Sequence, residues 1–426
     1  MSVHSLLVLL LLGFLRRAPP CSATSVSLVG INYGRVGNNL PSPETVPRLV
    51  STIGVGRVRL YDADPAAIRA FANTGIELVV GLPDRCLPKL AGDAGQALAW
   101  VRSNVQAYLP AAKIAFLTVG NEVLTSNNTA LPRFLLPAME NLHSALTSLG
   151  LDRQIAVTTA HSLAVLGDSY PPSTATFRRD LLPLVCPLLD FHARTGSPFF
   201  INAYPYFAYE KDPSGVALDY ALLQPGAAPV VDPRSGLKYG SLLHAQIDAV
   251  YHAIAAAGAT KGVEVRVSET GWPSAGDADE AGATAENAAT YNRNLMKLVA
   301  EGKGTPLVPK VPLRVYMFAL FNENLKPGPT SERNYGLFKA DGTPAYQLGF
   351  TLDNSTATGA GAGGATGWSG DSSGQSSSGY YSISAAAATE EWVRQRRVVN
   401  AAAGMVFFCF VICGNLMVGQ WVGISK

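Results

Sequence analysis

The stretch Gly262-Val263-Glu264-Val265-Arg266-Val267-Ser268-Glu269-Thr270-Gly271-Trp272-Pro273 decides the fold. Its apolar first half reads as a buried β-strand and a turn begins at Gly271. Glu269 therefore falls at the strand's C-terminal lip, just ahead of an exposed-looking indole at Trp272. Outward from this stretch one unit recurs: a short β-rich apolar run, a polar or Gly/Pro-containing turn, then a segment with apolar residues at three- and four-residue spacing. Eight runs can be marked: Leu28 to Tyr33, Val55 to Tyr61, Ile76 to Leu82, Lys113 to Gly120, Gln154 to Ala160, Phe199 to Tyr204, Val263 to Ser268, and Leu313 to Phe321. Helical spacing fills Ala97 to Leu109, Leu131 to Leu149, Phe177 to His192, Ser241 to Ala257 and Ala285 to Val299. Such alternation implies a parallel sheet. An open doubly wound sheet usually has fewer strands, and Gly34-Arg35-Val36-Gly37 has neither the dinucleotide nor the P-loop glycine spacing. Eight units within about 300 residues predict an α/β protein, a (β/α)8 TIM barrel.

The flanks differ in kind. In a chain of 426 residues, 1–23 holds the apolar run Leu6 to Leu15 and the small-x-small pattern Cys21-Ser22-Ala23, and reads as a secretory signal. Its leading end lacks Lys and Arg, which leaves a short membrane anchor as the alternative. The barrel is expected over 24–352. A flexible stalk rich in Ser and Gly, too poor in apolar surface to order, follows over 353–384. The remainder, 385–426, combines small residues at Ser384-Ala385-Ala386, a charged spacer and an apolar tail. A retained transmembrane helix would put the basic cluster outside, against the positive-inside rule. The pattern fits a glycosylphosphatidylinositol signal whose tail is removed, with Ser384 as the expected attachment residue and the outer face of the plasma membrane as the location. A retained span and a fortuitous apolar tail stay open. Secretion gives meaning to the sequons at Asn127 and Asn354.

Composition excludes several classes. A net charge of +2 offers no broad basic surface for nucleic acid. With Cys21 in the leader and Cys409 and Cys413 in the tail, only Cys86 and Cys186 remain, which is neither a disulfide framework nor a zinc site. They read as unlinked core thiols, with a single disulfide as the alternative. The six histidines show no metal spacing and none pairs with a nucleophile, so neither a metal nor another cofactor is expected; His161 reads as structural.

Glu269 has a counterpart. Phe116-Leu117-Thr118-Val119-Gly120-Asn121-Glu122-Val123 closes the fourth run, so Glu122 and Glu269 sit at the C-terminal lips of strands four and seven and face one opening. Either acid alone is an ordinary turn residue. Two that converge on one cleft are what glycoside hydrolysis needs.

The chain also resembles the plant glucan endo-1,3-β-glucosidases of glycoside hydrolase family 17. The likeness is carried by Gly30-Ile31-Asn32-Tyr33-Gly34-Arg35, Asn38-Asn39-Leu40-Pro41, Val119-Gly120-Asn121-Glu122-Val123, Asn202-Ala203-Tyr204-Pro205-Tyr206-Phe207, Ser268-Glu269-Thr270-Gly271-Trp272-Pro273 and Phe321-Asn322-Glu323-Asn324-Leu325-Lys326-Pro327. Glu332-Arg333-Asn334-Tyr335-Gly336-Leu337-Phe338 completes the set, which spans about 28 to 350. The resemblance implies a retaining endo-hydrolase of β-1,3-glucan, callose-like in plants. Glu269 would be the ionised nucleophile and Glu122 the acid that protonates the leaving oxygen and then activates water. Asn121 would bind the sugar 2-hydroxyl. Tyr33 and Tyr204 end strands one and six and would reach the carboxylates or the sugar, Tyr204 beside Glu269. Trp272 and Phe207 are candidate stacking platforms for pyranose faces. Glu323, Lys326 and Glu332 would line the subsites through ion pairs. The partners expected are β-1,3-glucan and, through a lipid anchor, the membrane, for a monomeric protein. Transglycosylation, in which a sugar hydroxyl replaces water, and glucan binding without turnover are the alternatives.

Overall fold

A computed structural model describes residues 28–258 and 262–348. The leader, the stalk with Asn354, the anchor signal with Ser384 and the apolar tail lie outside the described residues.

Eight parallel strands close on themselves: β1 Val29–Tyr33, β2 Arg57–Leu60, β3 Glu77–Leu82, β4 Lys113–Asn121, β5 Ala156–Ser162, β6 Phe199–Asn202, β7 Val265–Thr270 and β8 Val315–Met317. Each pairs with its sequence neighbours, and β8 returns to β1 through the register Val29↔Val315. Side-chain alternation sorts the core into two layers. On β3, Val79 points into the barrel, where it packs with Phe116, Ala160, Phe200 and Tyr316, while Leu78 and Val80 face the helices. Gly30 is part of the inner fit, since a Cβ there would lie 2.4 Å from the Tyr316 ring. Apolar helix faces cover the outside. The helix Ala285–Ala300 starts where Thr284 accepts a hydrogen bond from the Asn287 amide, and Leu182–Thr195 stops at Gly196, whose φ of 70° is the left-handed cap that glycine takes readily.

Two expected segments are shorter than their patterns. The helical run from Phe177 begins only at Leu182, because Thr176–Phe177 pairs antiparallel with Leu166–Asp168 before the helix starts. The strand expected over Leu313 to Phe321 is regular only over Val315–Met317; the chain then passes a cis Phe318–Ala319 peptide, and the Leu320 amide donates to the Asn32 carbonyl. Cys86 and Cys186 are both free and half-buried. No helix among the described residues is long and apolar enough to cross a membrane.

Candidate active site

Glu122 and Glu269 are both buried, at 2% and 5% exposure, at the C-terminal ends of β4 and β7. In each case the ladder slips just before the acid. The β4–β5 register shifts between Thr118 and Asn121, and the β6–β7 register shifts between Val267 and Glu269. Such bulges re-aim side chains. Here they free the two carboxylates from strict alternation, and Gly120 at φ 67° and Glu122 at φ 54° complete the turn at the end of β4.

Glu269 is pinned by three donors. Arg59 Nη1 and Tyr61 Oη reach its Oε1 at 2.7 Å each, and Tyr204 Oη reaches its Oε2 at 2.8 Å. Burial, with the Glu269 charge adding to it, holds the Tyr61 and Tyr204 phenols well above their ordinary range, so both remain donors. Arg59 is fully buried and turns both terminal nitrogens to the same site: Nη1 also donates to the Ser268 carbonyl at 3.1 Å and Nη2 to Asn121 Oδ1 at 2.8 Å. With its oxygen engaged by Arg59, Asn121 presents its amide N–H2 as the donor for a ligand hydroxyl.

Glu122 is tied to the same centre by a different route. Asn202 Nδ2 donates to its Oε1 at 2.7 Å, and Ser268 Oγ donates to Asn202 Oδ1 at 2.6 Å. The Glu122 oxygen calls for the Asn202 N–H2 and the Ser268 hydroxyl, able to donate, takes the amide oxygen, so β7 is linked to the carboxylate on β4 through β6.

The loop after β8 forms one wall. Lys326 Nζ lies 3.6 Å from Glu323 and 3.7 Å from Glu332, and 4.2 Å from the centre of the Phe318 ring. Burial draws the Lys326 ammonium down, but Glu323, Glu332 and Glu269 outweigh it and the net direction is up; burial raises the Glu332 carboxyl against the pull of Lys326. Glu323 Oε1 accepts the Val36 amide at 2.7 Å, and Gly34 allows the approach, since a Cβ there would lie 2.4 Å from the carboxylate oxygens. Phe207 is half-buried with its ring 5.3 Å from Tyr204, and Asn127 is exposed in the loop that follows Glu122.

Two expectations need correction. Trp272 is fully buried rather than exposed. Its ring packs on Tyr206 at 5.2 Å and Tyr291 at 5.6 Å, and its Nε1 donates to the Gly282 carbonyl at 2.8 Å. An indole enclosed this way offers no face to a sugar; it supports the strand end from behind. Tyr33 packs edge-on against Phe321 at 5.9 Å, its phenol raised to about 12 mainly by burial; of its two expected partners, the carboxylate Glu269 is met from this side by Tyr61 instead, which leaves its expected reach toward the sugar untouched. Arg59, Tyr61, Asn202 and Ser268 join the site beyond the residues expected from the sequence. For Arg59 and Tyr61 the signal lies in Arg57-Val58-Arg59-Leu60-Tyr61: a cation facing into a barrel must find a carboxylate.

A closed parallel barrel whose C-terminal mouth holds two buried, separately braced carboxylates defines a glycoside hydrolase centre. A family model described as glycosyl hydrolases family 17 matches residues 29–350. The chain belongs to that family. Glucan endo-1,3-beta-glucosidase 11 of Arabidopsis thaliana is 55% identical over 333 residues, 78% of each chain. Glucan endo-1,3-beta-glucosidase 10 of the same plant is 55% identical over 338 residues, 79% of each. Among solved structures, CJP38, a beta-1,3-glucanase and allergen of Cryptomeria japonica pollen, is 41% identical with a TM-score of 0.72, over 76% of this chain and 99% of that one.

Proposed function

We propose that this glycoside hydrolase cleaves internal β-1,3-glucosidic bonds of β-1,3-glucan with retention of anomeric configuration. The reading is supported by family membership, by relatives named for endo-1,3-β-glucosidase activity, and above all by two buried acids at one barrel mouth, each braced by its own partners. Glu269 is fixed from three sides as a nucleophile needs, and Asn202 orients Glu122 for its part as acid and base.

In the first step a Glu269 oxygen bonds to the anomeric carbon while the bond to the departing O3 breaks and Glu122 gives that oxygen its proton. Asn121 holds the 2-hydroxyl, a contact that strengthens as positive charge develops at the ring. In the second step Glu122, now a carboxylate, takes a proton from water; the hydroxyl adds to the anomeric carbon and Glu269 departs. Phe207 and the Glu323–Lys326–Glu332 wall supply substrate contacts.

Glu269→Ala is expected to lower hydrolysis of a soluble β-1,3-glucan by more than about 1,000-fold. Full residual release of reducing ends would end the proposal. NMR of the first anomer formed tests retention separately: β-anomer appearing first is required.

The protein is further proposed to act as a monomer on the outer face of the plasma membrane, N-glycosylated at Asn127 and Asn354 and lipid-anchored at Ser384. The terminal sequence pattern supports the anchor, and the two sequons support the glycosylation. Phosphatidylinositol-specific phospholipase should release it from membranes, and retention after treatment would instead indicate a spanning tail.

A further inference from the structure

Asp84 is a part-buried carboxylate that the chemistry above does not use. It follows β3 in the stretch Leu82-Pro83-Asp84, and its Oδ1 accepts the backbone N–H of Asn121 at 3.0 Å. That N–H has lost its regular place in the ladder. β3 pairs with β4 only as far as Leu82↔Val119, and the β4–β5 register slips between Thr118 and Asn121. Around the slip, three contacts fix the strand end: Thr159 Oγ1 to the Val119 carbonyl at 2.8 Å, the Glu122 amide to the Ala160 carbonyl at 2.8 Å, and the Asp84–Asn121 bond. The first two come from β5 and the third is made by a side chain on the β3 side. Gly120 fits this arrangement, because its φ is 67° and a Cβ would lie 3.0 Å from Asp84 Oδ1.

We infer that Asp84 is a positioning residue for catalysis, its carboxylate fixing the bulged end of β4 so that Asn121 and Glu122 are aimed together at the scissile bond. The inference rests on the reading of Glu122 as the acid and base. Asn121 and Glu122 are adjacent across one peptide, so rotation about the Gly120–Asn121 junction swings both at once. A displacement of well under an ångström at such a group costs rate rather than binding, because the misaligned proton donor matters chiefly in the transition state. Burial raises the Asp84 carboxyl to about 6 against the opposing effect of the Asn121 bond, the usual consequence of withholding a carboxylate from water. A group that served only solubility would have stayed outside.

The test compares Asp84→Ala, which removes the acceptor, Asp84→Asn, which keeps an amide oxygen at the same reach, and Glu122→Gln, all on a soluble β-1,3-gluco-oligosaccharide. Asp84→Ala is expected to lower kcat by about tenfold or more with KM within about twofold, and Asp84→Asn to recover to within about threefold of the wild-type kcat. All variants are checked for folding by thermal melting above the assay temperature. A wild-type kcat in Asp84→Ala, a loss confined to KM, or an Asn variant as slow as the Ala variant would each overturn the inference. If Asp84→Ala does not fold, Asp84→Ser, too short to reach the amide, takes its place. Full activity of Glu122→Gln would remove the acid and base reading itself. An inactive Glu122→Gln beside an unimpaired Asp84→Ala removes only the positioning role.

Discussion

Arg59 is the residue on which the centre turns. One guanidinium grips the oxygen of Glu269, the carbonyl of Ser268 and the side-chain oxygen of Asn121, and so sets the nucleophile and the hydroxyl-binding amide in one frame. Arg59→Ala should therefore lower kcat on soluble glucan by about 100-fold or more. Arg59→Lys should rescue little of this, because a single ammonium cannot reproduce a planar fork reaching three partners. A lysine variant within a few-fold of wild type would show the bridge to be dispensable. Trp272 gives the opposite kind of prediction. Buried against Tyr206, Tyr209 and Tyr291, it should act on stability: Trp272→Ala is expected to cost about 3–5 kcal/mol in urea unfolding. The milder Trp272→Phe should leave KM unchanged, whereas a KM raised in a fully folded Phe variant would restore the stacking role. Why Glu122 and Glu269 were legible in the sequence and Arg59 was not follows from position. An acid that ends an apolar run stands out, but an arginine inside a strand pattern looks like an edge residue until the barrel closes and turns it inward. Trp272 misled because the turn residues Gly271 and Pro273 around it suggest exposure, while the enclosing aromatics come from Tyr206, Tyr209 and Tyr291, distant in sequence.

The elements that matter most are the ends of β4 and β7. Both break register one to three residues before the acid they carry, which turns two ordinary barrel strands into arms that aim a carboxylate at a shared point. All eight strands could be found from apolar runs, because period and composition are local signals. The slips could not: a bulge is defined by what a neighbouring strand pairs with, and the sequence of β4 alone contains only Gly120 as a hint. Gly120 is also where the arm can be broken. An alanine there would have to adopt φ 67° and would bring its Cβ to 2.4 Å from Val123 Cγ2, while crowding Asp84. Gly120→Ala should cost about 1–3 kcal/mol of stability through backbone strain. Because the crowding falls on the peptide before Asn121, its kcat should drop by at least about tenfold in the protein that remains folded. Unchanged kcat with reduced stability would mean that the strand end tolerates the shift.

At the scale of the whole molecule, the barrel separates groups that do chemistry at its mouth from titratable groups sealed between strands and helices, and the sealed groups govern acid stability. His161 stacks on Phe199 at 4.6 Å with neither ring nitrogen hydrogen-bonded, and burial depresses it from 6.5 to about 3; His192, bonded to Ser197, is depressed to about 4, again by burial. Neither depends on a pattern visible in the chain, since the sequence shows only that His161 follows an apolar strand. The sign is fixed by linkage. Above pH about 6.5 these rings are neutral both folded and unfolded and contribute nothing to pH dependence. Below it the unfolded chain takes up protons that the folded one refuses, so stability falls as the solution is acidified toward the folded values. Asp84 and Asp248, both raised by burial to about 6, work the other way: their folded forms hold protons that the unfolded chain has released, between the ordinary value of 3.8 and about 6. The wild-type profile is consequently flattened, and the histidine contribution is best read as a difference. His161→Leu removes one refused proton while filling the same apolar site. Its stability relative to wild type should grow as pH falls from 7 to 5, by about 2 kcal/mol at roughly 1.4 kcal/mol for each unit below 6.5. Urea unfolding at the two pH values measures this directly, and an equal gap at both would mean that His161 takes up its proton in the fold as readily as in the unfolded chain.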